Sequence, residues 1–307
     1  MMTPLSPLHI RLPFTPPMAW PVMLAFFRLR AIAGIEKIGE TTYTRSIRLG
    51  STHGMLAVQH LEGTDALDAR IHMADEFNSD EISLTEITMR LRSMFDLDAD
   101  LTAIADHLKR DPYLAPLVAK RPAVRIAGHW EPFETAIRAV LGQQVSLVAA
   151  RQLTARLVDR AGSLIDEAST DAPHRLFPTP QQVLAADLSN MGMPGARVRT
   201  MQAVAEAFIA DPLLFKRGEQ IDNTVARLSA IKGIGPWTAH YIAIRACREP
   251  DGFPASDAGL LRGMADEDGQ RPTPQNLSAR AEIWRPYRAY AAHHIWAEDE
   301  QKLSSRN

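Results

Sequence analysis

The stretch Leu228–Tyr241, LSAIKGIGPWTAHY, sets the reading of the whole chain. Upstream of it, Asp222 offers an N-cap for a helix, and Val225, Leu228 and Ile231 recur on one face of that helix. Lys232-Gly233-Ile234-Gly235 then breaks the pattern. Pro236 stands where a second helix begins, a position at which its missing N–H has no intrahelical partner to lose. Two helices joined by so tight a turn, with two glycines around one apolar residue, form a helix–hairpin–helix. Glycine lets the backbone reach positive φ and approach a ligand closely. The free N–H groups and the positive dipole end of the second helix suit a phosphate, with no side-chain charge required. Gly-Ile-Gly alone reads equally well as an ordinary turn that packs small residues.

Working outward, Asp257 lies 22 residues after Gly235, in FPASDAGLLRG (253–263). It follows a proline-containing loop and precedes an apolar run (Leu260, Leu261, Met264), so it also reads as an N-cap. Trp237 and Tyr241 fall at i and i+4 on the second hairpin helix and share a face, for core packing or for binding. His293 and His294 are adjacent and point to different helix faces, a poor metal pair and better read as core or surface residues. Asp266-Glu267-Asp268 reads as a solvated loop.

The full chain has 307 residues, a length that suits two or three domains. It is 46% hydrophobic and 23% charged, enough for a sizeable core. Cys247 is the single cysteine, which excludes an internal disulfide, a multi-cysteine zinc site and a cysteine-ligated iron–sulfur cluster within one chain. It fits a reducing compartment. The early apolar run WPVMLAFF (20–27) contains Pro21, is too short to span a bilayer and lacks a signal-peptide layout. The expectation is a cytoplasmic protein with no membrane partner. The net charge of −2 does not advertise a nucleic-acid binder. Residues 51–100, however, hold three Lys and Arg against eleven Asp and Glu, a local −8, so the remainder carries +6.

Residues 1–19 are proline-rich and read as extended, and 20–36 as helical. From Thr42 to Met73, short alternating runs separated by glycine predict an antiparallel meander. Residues 82–95 return to helical spacing, with Leu84, Ile87, Leu91 and Met94 on one face. Thereafter the pattern is almost wholly helical: 131–144, 146–161, 195–210, 222–231, 236–247, and one or two helices within 276–297. Residues 162–180 read as a loop or a poor helix. The fold class is α+β: an N-terminal antiparallel-sheet domain (1–101), then two all-α subdomains, one over 131–249 with the helix–hairpin–helix and a C-terminal bundle over 250–307.

Hairpin and aspartate at this spacing resemble the helix–hairpin–helix DNA glycosylase superfamily. Further segments resemble, within it, the bacterial DNA-3-methyladenine glycosylase II family: PPMAWPVMLAFFRLRAIAGIE (16–36), TTYTRSIRLG (41–50), FETAIRAVLGQQVS (133–146), FPTPQQVLAAD (177–187), MGMPGARVRTM (191–201) and WRPYRAYAAHHIW (284–296). The resemblance implies a sheet like half of a TATA-binding-protein fold and a segment 102–130 that joins the C-terminal bundle. It places an active site in the cleft between the helical parts. It implies a DNA repair enzyme that flips a nucleotide out of the duplex and hydrolyses the N-glycosidic bond of an alkylated purine, of 3-methyladenine or 7-methylguanine type.

By motif position the catalytic carboxylate is Asp257, stabilising positive charge on the sugar. Trp296, Trp237 and Tyr241 would line the base pocket, whose aromatic faces attract cations. Lys232, Gly233, Ile234 and Gly235 form the DNA-binding hairpin. Gln144, with Gln143 as second candidate, would fill the vacated stack. Relatives that also nick the strand carry a lysine two residues after the second glycine. Trp237 stands there, so a monofunctional enzyme that leaves an abasic site is expected. No cofactor is required, although the carbonyls of Ser229, Ile231 and Ile234 could hold a sodium or potassium ion. The expected partner is double-stranded DNA with damaged bases, bound by a monomer. Two departures stand out: Lys232 replaces a proline common before the first glycine, and Ser256 stands where an acidic residue can occur. Alternatives are a glycosylase for deaminated or oxidised bases and a non-catalytic helix–hairpin–helix DNA-binding protein.

Overall fold

Strand β1 (Leu8–Pro13) buries Ile10 and Leu12 on alternate positions and exposes the residues between them, the period expected of a strand with one face on a core. It pairs antiparallel with β5 (Ala66–Met73), and the sheet continues through β4 (Thr52–His60), β3 (Thr42–Leu49) and β2 (Glu36–Ile38). The meander is therefore the centre of a five-stranded sheet, with register Tyr43 opposite Val58, Leu56 opposite Ile71 and Ile10 opposite Ala69. The computed structural model describes residues 7–74, 81–165, 172–218 and 220–304. Parts of the proline-rich N-terminus and of the 162–180 loop lie outside them.

Helix α1 (Trp20–Arg30) is shorter than the 20–36 read from the sequence. Ala31 leaves helical geometry and Gly34 turns at φ +82°, so Ile32 and Ile35 swing away to join the core of the next domain. Helix α2 (Glu81–Phe95) places Ile87, Leu91 and Met94 on the sheet, whereas Leu84, assigned to the same face, is 40% exposed. One core lies between the sheet and these two helices, with Phe27, Tyr43 and Phe95 in mutual ring contact.

The rest of the described chain is helical: α3 (Leu101–Leu108), α4 (Leu114–Lys120), α5 (Pro132–Leu141), α6 (Leu147–Ala161), α7 (Pro180–Ala185), α8 (Gly195–Ala210), α9 (Ile221–Ser229), α10 (Pro236–Arg245), α11 (Ala258–Gly263), α12 (Pro274–Ala281) and α13 (Arg288–Ser304). Helix α5 stops three residues before its predicted end, at Gly142, so Gln143 and Gln144 belong to a turn. Helices α3, α4 and α7 carried too few periodic residues to be read from the sequence.

A second core gathers α5, α6, α8, α9 and α10 around Ile137, Leu157, Val204, Leu228 and Ile242. A third joins α3 and α4 to α11–α13, with Leu108, Leu114, Leu260, Trp284 and Ile295 inside it. Helix α10 feeds both: Ala239, Ile242 and Ala243 enter the second core and Ile244 the third. Between sheet and helices runs a buried ionic network. Arg45 on β3 donates to Glu134 on α5 (2.8 Å), and Arg138 on α5 donates to Glu134 (2.5 Å) and to Glu36 on β2 (2.7 Å). Tyr43 completes it with a hydroxyl donated to Glu36 at 2.7 Å.

Candidate active site

Helices α9 and α10 meet in the tight turn expected of the hairpin, and Pro236 opens α10. The φ of Gly233 is +90°, and a Cβ there would collide with the Thr200 side chain of α8. Both facts demand glycine. Gly235 is different: its φ is −83°, so positive φ accounts for one glycine of the pair. A Cβ on Gly235 would meet open space, consistent with a backbone that faces outward. Lys232 is exposed, while Ile234 is buried in the second core and ties the turn down. The N-cap of α9 is Gln220, not Asp222. Ile221 is drawn into the core and starts the helix early, which leaves Asp222 in the first turn, favourable to the helix dipole.

Asp257 caps α11: its Oδ1 accepts from the backbone N–H groups of Gly259 (2.8 Å) and Leu260 (3.0 Å). The same oxygen accepts from Trp296 Nε1 on α13 at 2.7 Å, and Oδ2 accepts from Trp237 Nε1 on α10 at 2.8 Å. Four N–H donors from three elements thus fix one carboxylate, which stays partly exposed, as do both indoles. The structure brings together the three residues that motif position singled out. Tyr241 completes the group, its ring stacked on Trp237 with centroids 5.4 Å apart and planes 15° apart.

Gln144 is exposed and holds φ +54°, an uncommon conformation for a non-glycine residue. Its neighbour Gln143 is committed elsewhere. The Gln143 side-chain amide donates to the Gly233 carbonyl (3.1 Å) and to Thr238 Oγ1 (3.0 Å), and the Gln143 backbone carbonyl accepts from Arg197 at 2.5 Å. The turn that presents Gln144 is therefore clamped to the hairpin and to α8.

The hairpin carbonyls retain capacity to accept. Ile231 accepts from the Ile234 N–H at 3.0 Å and retains a second lone pair, and no backbone N–H among the described residues bonds Ser229 or Ile234 oxygen. Such hard oxygen donors fit sodium or potassium. Among the described residues no cluster of His, Cys, Asp or Glu side chains could hold a metal ion, and no helix is long and apolar enough to cross a membrane. Asp266, Glu267 and Asp268 are exposed.

Sequence reasoning missed what lies behind Tyr241. Arg245, one turn further along α10, is buried and sits 5.2 Å from the Tyr241 ring centroid and 4.8 Å from that of Phe26. The signal was present, because Trp237, Tyr241 and Arg245 recur at i, i+4 and i+8. Burial alone would raise the Tyr241 phenol, yet Arg245, Arg30 and Arg138 outweigh it and hold the pKa below its ordinary value. His293, read as a core or surface residue, is packed edge-on against Trp296, with ring centroids 5.0 Å apart.

Comparison with known proteins agrees with this architecture. Residues 9–131 match the family model of the AlkA N-terminal domain, and residues 137–289 that of the HhH-GPD superfamily base excision DNA repair protein. A Mycobacterium tuberculosis protein named "Probable bifunctional transcriptional activator/DNA repair enzyme AlkA" is 34% identical over 96% of this chain. The match spans 58% of that relative's length. Escherichia coli DNA-3-methyladenine glycosylase 2 is 30% identical over 92% of this chain and 94% of its own. The solved 3-methyladenine DNA-glycosylase of Archaeoglobus fulgidus shares the fold, with a TM-score of 0.79 at 20% identity over 95% of this chain and 98% of that one. Sheet, hairpin and the carboxylate between two indoles thus occur on a chain that belongs to the bacterial DNA-3-methyladenine glycosylase II family of the HhH-GPD base excision repair superfamily.

Proposed function

We propose that the protein hydrolyses the N-glycosidic bond of alkylated purines, of the 3-methyladenine and 7-methylguanine type, in double-stranded DNA, and that it is monofunctional. The observation that carries this reading is the convergence of the Trp237 and Trp296 indole N–H groups on the Asp257 carboxylate. A pure DNA-binding module needs the hairpin and has no use for a carboxylate held by four donors beside stacked aromatic rings.

The hairpin turn and the N-terminus of α10 grip a phosphate through backbone N–H groups. Gln144, displayed on its clamped turn, enters the gap left by the extruded nucleotide. The flipped base lies against the aromatic faces, which attract a cationic purine. As the C1′–N bond breaks, its electron pair passes to the base nitrogen and positive charge develops on the sugar, where Asp257 stabilises it. A water oxygen then bonds C1′, and its proton leaves to solvent. An N-alkylated purine departs neutral and needs no protonation. A sodium or potassium ion, held by the carbonyls of Ser229, Ile231 and Ile234, would add positive charge beside the phosphate.

Trp237 occupies the position two residues after Gly235, so no amine is placed there to capture the sugar. Asp257→Asn is expected to lower single-turnover release of 7-methylguanine at least about 1000-fold, with duplex binding retained. Near-normal release by this variant would refute the assignment of Asp257. Borohydride treatment of the parent protein with damaged duplex should trap no covalent adduct, and a trapped adduct would refute the monofunctional reading. Release of deaminated or oxidised bases, with no release of methylated purines, would favour a relative of different specificity.

A further inference from the structure

Arg245 is a buried guanidinium with no carboxylate beside it. It is 5% exposed and forms no ion pair among the described residues. Its Nη1 donates to the Ala127 carbonyl at 2.6 Å, its Nη2 lies 3.0 Å from His293 Nε2, and its Nε finds no partner. Desolvation is the chief force that pulls its pKa down to about 10; the Tyr241 phenol opposes the fall, and the positive Arg30 and Arg248 add to it. It still carries its charge at neutral pH. A buried cation left uncompensated is expensive, and packing alone gives no reason to keep one here.

Its anchor is neutral by geometry. His293 Nδ1 lies 2.7 Å from the Ala289 carbonyl oxygen, which only accepts, so Nδ1 carries the ring proton. Nε2 is then a lone pair and accepts from Arg245. Burial, reinforced by Arg245, holds the His293 pKa well below its usual value, so the anchor adds no charge of its own. The residues form a continuous chain of contacts. Asp257 bonds Trp237, Trp237 stacks on Tyr241, and the Arg245 guanidinium lies against the Tyr241 ring. A negative group stands at one end of the aromatic pair and a positive group at the other.

We infer that Arg245, anchored by His293, is a positioning residue that sets a positive potential at the base end of the site and thereby speeds glycosidic bond cleavage. The inference rests on the reading that the flipped base lies against Trp237 and Tyr241. In that reaction the C1′–N electron pair moves onto the base, and water supplies the oxygen that C1′ gains. A cationic purine gives up its charge to the sugar and a neutral base gains negative charge, so a cation behind the base favours the transition state in both cases. With a cationic purine it also opposes ground-state binding, which makes the effect differential.

The test compares Arg245→Met and Arg245→Lys with the parent on a 7-methylguanine duplex, by single-turnover rate and by equilibrium binding, with Asp257→Asn in parallel. Arg245→Met is expected to slow cleavage about 10- to 100-fold, with a duplex Kd equal to or tighter than that of the parent. Arg245→Lys should recover most of the rate. A methionine variant within about threefold of the parent, or methionine and lysine variants equally slow and equally weak in binding, would overturn the inference. Should Arg245→Met fail to fold, His293→Leu and His293→Gln decide. The leucine variant is expected to slow cleavage about threefold or more, and glutamine, whose Oε1 can accept from Arg245, to restore it. Equal rates for parent and leucine variant would overturn the proposal. If Asp257→Asn keeps its activity, the underlying functional reading has failed; if Asp257→Asn is dead while Arg245→Met is normal, only this inference has.

Discussion

Arg45 and Arg138 at the sheet–helix boundary contrast with Arg245 behind the aromatic pair. Arg45 and Arg245 are buried and the Arg138 side chain is 9% exposed, and each leaves an N–H without a partner. The first two face Glu36 and Glu134, so two positive and two negative charges cancel across the boundary. Desolvation opposes charge there, but the ion pairs win: Glu134 and Glu36 raise the arginines, and Arg138 and Arg45 lower Glu36 from its ordinary value. At Arg245 no carboxylate answers, and desolvation wins over the opposing Tyr241 phenol. The same chemical group therefore fastens two domains in one place and projects a field in the other, and the deciding variable is the carboxylate opposite it.

The contrast is most open to disruption at Glu134. Glu134→Ala strands Arg45 in the interior, leaves Arg138 with Glu36 as its carboxylate partner, and is expected to cost about 3–5 kcal/mol, read by urea unfolding. A loss below about 1 kcal/mol would show that the two regions do not differ. Acid supplies the next effect. His240 and His294 are both held down to about 4, by burial first and then by Arg288 and Arg121 respectively. Between pH 6.5 and 4 the unfolded chain binds more protons at these sites than the folded one. Stability is therefore full above pH 6.5 and declines as pH falls through that window, by up to about 1.4 kcal/mol per pH unit for each histidine. Unfolding free energies across that range should show the slope, and a flat profile would mean that these rings are not held neutral. The smallest effect is the most discriminating. Arg245→Met removes a buried unpaired charge along with its ring contacts, and stability is expected to stay within about 1 kcal/mol of the parent. A loss as large as that of Glu134→Ala would place Arg245 among the fastening residues.

The hairpin, the three central strands and the main helices were legible because each depends on local pattern: Pro236 at a helix start, glycines in a turn, alternation from Tyr43 to Met73. The three residues around Asp257 were legible through motif position, although the indole hydrogen bonds that join them were not. Strands β1 and β2 escaped notice since one is bounded by prolines and the other has three residues. The ionic network links residues 89 and 102 positions apart, and no local signal pairs Arg45 with Glu134 or Arg138 with Glu36. Gln143 and Gln144 look alike as letters. Only the fold separates the clamped side chain from the displayed one.

The third core has a consequence for how the molecule is made. Helices α3 and α4 are made well before α11–α13, yet it is α11–α13 that share a core with Leu108 and Leu114. A chain cut after Cys247 lacks the helices that cover those leucines. Asp257 and Trp296 belong to the same segment that shelters them, so a chain without it lacks the carboxylate and one of its two indoles as well as the cover of its third core.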